Sequence, residues 1–237
     1  MGLINWLKTK ISNDSGEQNN LLEDIKFPDT THVFLIGFSY DRPTKEMYTW
    51  TKDFLSQTHA ASRVFRFNGE NFSKQKLAEQ LDQELNRVEI FCGHGSSKGL
   101  FGPPFNELSQ DILKEVHHII YDADMQRLGP SSMFAFCCGT AAEFGREFVS
   151  LRDNRFIGFQ NDIPLANELY GDLKLIFQTI ARSIIQKGRI ENEHAEYFTS
   201  QIQALLDDLK RNPGKYSFPN TMGSILEHYQ DSFRAFI

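Results

Sequence analysis

Two short stretches combine residue types that can do nucleophilic chemistry. The first is Val88-Glu89-Ile90-Phe91-Cys92-Gly93-His94-Gly95, an apolar run ending in a histidine flanked by glycines. The second is Met133-Phe134-Ala135-Phe136-Cys137-Cys138-Gly139, an apolar run ending in paired cysteines and a glycine. A free thiol is mostly protonated, and only its thiolate attacks readily. An imidazole close by can take that proton and later return one to a leaving amine. Cys138 is therefore the candidate nucleophile and His94 the candidate base. Gly93, Gly95 and Gly139 remove Cβ atoms where a substrate backbone has to come close. Backbone N–H groups around Gly95, Cys138 and Gly139 are the candidate oxyanion donors. A strand alternates faces, so Cys137 and Cys138 cannot both point at a substrate. Gly139 directly after Cys138 favours Cys138.

The elements that must position these groups follow from hydrophobic patterning. Val33–Phe38, Arg63–Phe67, Val88–Cys92, Ser132–Cys137 and Phe156–Phe159 read as strands, with a further short one at His118–Tyr121. The continuous apolar run Val33–Phe38 suits a strand covered on both faces of a parallel sheet. Helical patterns lie between them, over 43–57, from Asn71 or Ser73 to Asn86, and over 141–149. Three more, at about 165–187, 191–211 and 220–235, complete the chain. The alternation predicts an α/β fold with a mostly parallel sheet and helices on both faces. In such sheets, sites form beyond the carboxyl ends of the strands, where His94 and Cys138 both fall. A helix beginning after Cys138 would turn its positive end toward the sulfur.

A strand ending in His-Gly, followed 44 residues later by a strand ending in Cys-Gly, resembles the caspase-like superfamily of cysteine peptidases. Phe91-Cys92-Gly93-His94-Gly95-Ser96 is most similar to the separase and bacterial CHAT-domain branches. The resemblance spans about 31–187 and implies a caspase-like sheet and a cysteine endopeptidase with a His94–Cys138 dyad. It departs from the family pattern at Cys137, where Ala or Gly usually precedes the nucleophile. Residues 1–30 read as a peripheral segment and 188–237 as a helical extension packed on the catalytic domain. Related enzymes often hold an acidic pocket for a P1 Arg or Lys. Asp122, Asp124 and Asp162 fall near strand ends and are candidates for it, the plainer reading being solvated loop acids. Many CHAT proteases carry their own sensor or repeat domains. None is evident here, which implies a regulatory protein partner in trans, as in an antiviral defence system.

Bulk properties set limits on the alternatives. The chain has 237 residues, 40% of them hydrophobic and 24% charged, with 21 phenylalanines, which suits one aromatic-filled core. A net charge of -6 gives no general nucleic-acid footprint. No apolar run approaches the roughly 20 residues that span a bilayer, and Met1–Trp6 shows neither leader nor acylation signal, so a cytoplasmic location is expected. Three cysteines form no disulfide framework. No spacing of Cys and His matches a zinc site, and the glycines match no phosphate loop, so no cofactor is expected. Two rival readings stand. A caspase-like module without activity would bind a protein partner. Gly95-Ser96-Ser97-Lys98-Gly99 fits the G-x-S-x-G of serine α/β-hydrolases, with Ser97 as nucleophile, but that motif needs a helix directly after it. Here Leu100-Phe101-Gly102-Pro103-Pro104 follows.

Overall fold

A computed structural model describes Pro28 and residues 30–37, 46–50, 64–68, 77, 79–80, 86–101, 119–121, 131–151 and 153–237. Nine strands occur among them: β1 (Thr31–Gly37), β2 (Val64–Asn68), β3 (Asn86–Cys92), β4 (Gly95–Ser96), β5 (Gly99–Phe101), β6 (Ile119–Tyr121), β7 (Ser131–Phe136), β8 (Arg155–Phe159) and β9 (Phe233–Phe236). The main sheet has six strands in the order β2-β1-β3-β7-β8-β9. Its first five strands are parallel, and β9 joins the β8 edge antiparallel. β4, β5 and β6 make a separate antiparallel sheet of three strands. The chain is thus α/β with a mostly parallel central sheet, as the strand–helix alternation predicts.

The central strands are mostly apolar because their alternate residues enter two different cores, with Arg87 and Glu89 of β3 buried as an ion pair. Val33, Leu35, Val88, Ile90, Phe134, Phe136, Ile157 and Phe159 belong to the larger cluster. Phe34, Ile36, Phe91, Met133, Ala135, Cys137 and Phe156 belong to the other. The larger face is covered by α2 (Tyr170–Lys187), α3 (Asn192–Arg211) and α4 (Pro219–Ser232), and by Met47, Tyr48 and Trp50 of the helical residues 46–50. The opposite face carries α1 (Phe144–Ser150), through Phe144 and Phe148. In α2 the buried Leu173, Ile176, Phe177, Ile180 and Ile184 recur at the three- and four-residue spacing of one helix face. Phe136 meets Phe159 and Phe177 at 5.3 and 5.1 Å between ring centroids. Such edge-on pairs add to the area they bury.

Three expectations are revised. The helix expected over 220–235 stops at Ser232, and Phe233–Phe236 form β9. Phe233 goes into the large core and stacks on Phe198 at 3.9 Å. Residues 188–237 therefore supply a strand of the main sheet as well as helices. The helix expected from Ala141 begins at Phe144, with turns before it. The Gly-rich stretch after His94, to which the sequence assigns no element, is a hairpin, β4–β5. Residues 51–57 of the first expected helix and the segment 1–27 lie outside the described residues, as do Asp122 and Asp124. No described helix is long and apolar enough to cross a membrane.

Candidate active site

β3 and β7 run side by side in register, with Cys92 opposite Phe136. His94 and Cys138 each stand two residues beyond that pair, at the carboxyl edge of adjacent parallel strands. The two turns then pack directly on each other. A Cβ at Gly95 would lie 2.6 Å from Thr140 Cγ2, 3.0 Å from Cys137 Sγ and 3.2 Å from the Cys138 carbonyl oxygen. Glycine is needed at 95 because the neighbouring turn is already there. Gly139 has φ of +70°, a left-handed conformation that side chains disfavour, and rests against the backbone of Ser96 and Ser97. Two backbone bonds hold the hairpin in place: Phe101 N–H donates to the His94 carbonyl at 3.0 Å, and Phe144 N–H to that of Ser97 at 2.6 Å.

The paired cysteines part to opposite faces. Cys137 is fully buried in the smaller core, 3.5 Å from Thr140 Oγ1, and burial pushes its thiol well above the usual range. Cys138 is half-buried and packs against the larger core. Its sulfur accepts a hydrogen bond from Ile163 N–H at 3.3 Å. Burial raises the Cys138 thiol, the Ile163 amide opposes that shift, and Asp162, by its charge and as acceptor for the thiol proton, adds to it. These influences together favour the protonated thiol. Its amide partner comes from the loop after β8, not from the start of α1, which the turns over 140–143 separate from Cys138.

The remaining candidates divide clearly. Gly139 N–H, expected as an oxyanion donor, donates to the Asn161 carbonyl at 3.1 Å. Asp162 is exposed beside the thiol rather than at the floor of a narrow pocket. Ser97 sits in the two-residue turn between β4 and β5, with a strand after it where a nucleophile elbow requires a helix. Among the described residues no three His, Cys, Asp or Glu side chains cluster so as to hold a metal ion. Asn161 and Ile163 were not foreseeable as partners of the turn at Cys138 and Gly139. The only hint is that Gln160-Asn161-Asp162 follows β8, the strand next to β7, at the edge where loops converge.

A cavity of about 1270 Å³ opens at the other end of the sheet, lined among others by Asn86, Ser131, Ser132, Asn154 and Arg155. These residues begin or precede strands, so the cavity lies away from His94 and Cys138, and the chemistry of the carboxyl edge outweighs its size. No protein-family model matches the chain, and no curated protein matches it.

Proposed function

We propose that the chain is a cysteine endopeptidase of caspase-like fold, similar to the CHAT-domain and separase-like proteases, with His94 and Cys138 as its dyad. The observation that carries this reading is the register of β3 and β7, which gives the histidine and the cysteine equivalent positions on abutting turns. In the reaction His94 accepts the Cys138 proton and the sulfur bonds to the scissile carbonyl carbon. The negative charge collects on the carbonyl oxygen, near the amides of Gly95 and Cys138. Collapse breaks the C–N bond as His94 returns the proton to the leaving amine. Water, deprotonated by His94, then cleaves the thioester.

Of the three acids proposed for substrate recognition, Asp162 is the one among the described residues, and it lies exposed beside the thiol. It favours a peptide with Arg or Lys at P1. A regulatory protein partner, in a defence or other controlled-proteolysis setting, belongs to the same proposal. The test is a peptide-library cleavage profile of the wild-type chain beside Cys138→Ala, His94→Ala and Asp162→Ala. Loss of cleavage in the first two is expected. In the third, cleavage after basic residues should fall at least about tenfold, roughly 1.4 kcal/mol of transition-state binding. Cleavage that survives Cys138→Ala refutes the dyad, and cleavage after Asp refutes the acidic site.

A second reading, a caspase-like protein-binding module without activity, draws support from the raised Cys138 thiol and the occupied Gly139 amide. Such a module would keep its partner after Cys138→Ala.

A further inference from the structure

The loop that leaves β8, residues 160–164, meets the nucleophile turn with successive polar groups. The Asn161 carbonyl takes the Gly139 N–H at 3.1 Å. Ile163 N–H donates to Cys138 Sγ at 3.3 Å. The Asp162 carboxylate, between them in sequence, stands beside the thiol. A substrate carbonyl and a reacting thiolate would need this same space.

The other side of the loop is tied to α4. Gln160 N–H donates to the Ser232 carbonyl at 2.7 Å, and Asn161 Nδ2 to Ser232 Oγ at 3.3 Å. His228 Nε2 donates to the Asp162 carbonyl at 2.6 Å, and the Tyr229 hydroxyl to the Pro164 carbonyl at 2.9 Å. Three consecutive loop residues thus sit on the nucleophile turn while four bonds fix the loop to one helix. A loop serving only as a connection has no need to satisfy a catalytic thiol and the amide next to it.

We infer that residues 160–164 form an autoinhibitory strap over Cys138, and that His228, Tyr229 and Ser232 of α4 are its latch. The inference rests on the peptidase reading for its biological meaning, though not for its chemistry. With the strap seated, the sulfur of the half-buried Cys138 is engaged by the Ile163 amide, a carboxylate faces it and the Gly139 amide is occupied. Unlatching reduces the burial of the sulfur and frees Asp162 from the thiol, both of which favour the thiolate and leave the carboxylate available to a basic P1 side chain. It also removes the Ile163 amide, which favours it too, but burial is the larger influence on the thiol. A partner that displaces α4 would switch the site on without touching it.

The test measures iodoacetamide labelling of Cys138 by peptide mass spectrometry at one neutral pH, in the full chain. The His228→Ala/Tyr229→Phe variant removes two latch bonds and keeps the buried ring of Tyr229. Labelling of Cys138 should accelerate by about tenfold, the effect of one pKa unit on the thiolate fraction, with Cys137 unlabelled. Asp162→Asn, an exposed change that leaves the latch residues intact, should accelerate it in the same direction. An unchanged or slower rate in both variants overturns the strap. Melting curves identify unfolding of the double variant, and Asp162→Asn then decides alone. Cleavage assays run in parallel separate the two ideas. Faster labelling without cleavage of any library peptide upholds the strap and removes the peptidase. Cleavage by the wild-type chain with labelling rates unmoved does the reverse.

Discussion

Gly139 adopts a left-handed backbone one residue after the thiol, while Gly95 admits the same turn by lacking a Cβ. Both glycines were recognisable beside the reactive pair, but as clearance for a substrate. Their use here is to let two turns of the protein touch. The distinction has a measurable consequence. Gly139→Ala should destabilise the chain by about 1–2 kcal/mol, the cost of forcing a side chain into that conformation, as read by urea unfolding. An unchanged midpoint would mean that the turn relaxes freely. The separation of Cys137 from Cys138 was legible from strand alternation alone. The hydrogen bonds from Ile163 and to Asn161 were not, because they join loops that only the completed sheet brings together.

The strands were easy to read and their ends less so. Apolar runs marked β1, β7 and β8, and β3 despite its Glu89, because burial on both faces removes the need for polar alternation. The last helix was overrun because Phe233-Arg234-Ala235-Phe236 holds no Gly or Pro, and four residues are too few for a strand pattern to compete. At the start of α3 the structure adds a cap that no motif announced. His194 Nδ1 accepts the Glu191 N–H at 2.8 Å, and Nε2 meets Ser183 Oγ at 3.0 Å. Burial first, and then the Lys187 charge, hold this imidazole below its usual pKa of 6.5, against the pull of Glu191 and Glu193. The unfolded chain therefore binds the proton more readily than the folded one. Its stabilising contribution is complete above about pH 6.5 and declines as the pH falls below that value. Comparing His194→Gln with the wild-type chain between pH 7 and pH 5 should show a smaller acid-induced loss of unfolding free energy in the variant. Parallel losses would mean that other groups dominate the acid response.

Across the whole molecule the layered architecture was predictable, because strand–helix alternation leaves few ways to bury both faces of a sheet. What was not predictable is that the sheet is finished by β9. Its pairing of Phe159 with Phe233 spans α2, α3 and α4. It is far less local than the β7–β8 pairing, which encloses only α1 and its turns. Closing a longer loop costs more chain entropy before any contact rewards it, and such pairings form late in folding. The loop bearing Asn161, Asp162 and Ile163 begins immediately after Phe159, and its anchor Ser232 immediately precedes Phe233. On this reasoning the turn at Cys138 should assemble before the loop over 160–164 is anchored to α4. During refolding from denaturant, pulsed alkylation should find Cys138 most reactive in an early window that closes as β9 docks. Protection arriving together with β7 and β8 would contradict that order. Every newly folding chain would pass briefly through an uncovered state, so the interval between making the site and shutting it is set by the slowest strand to arrive.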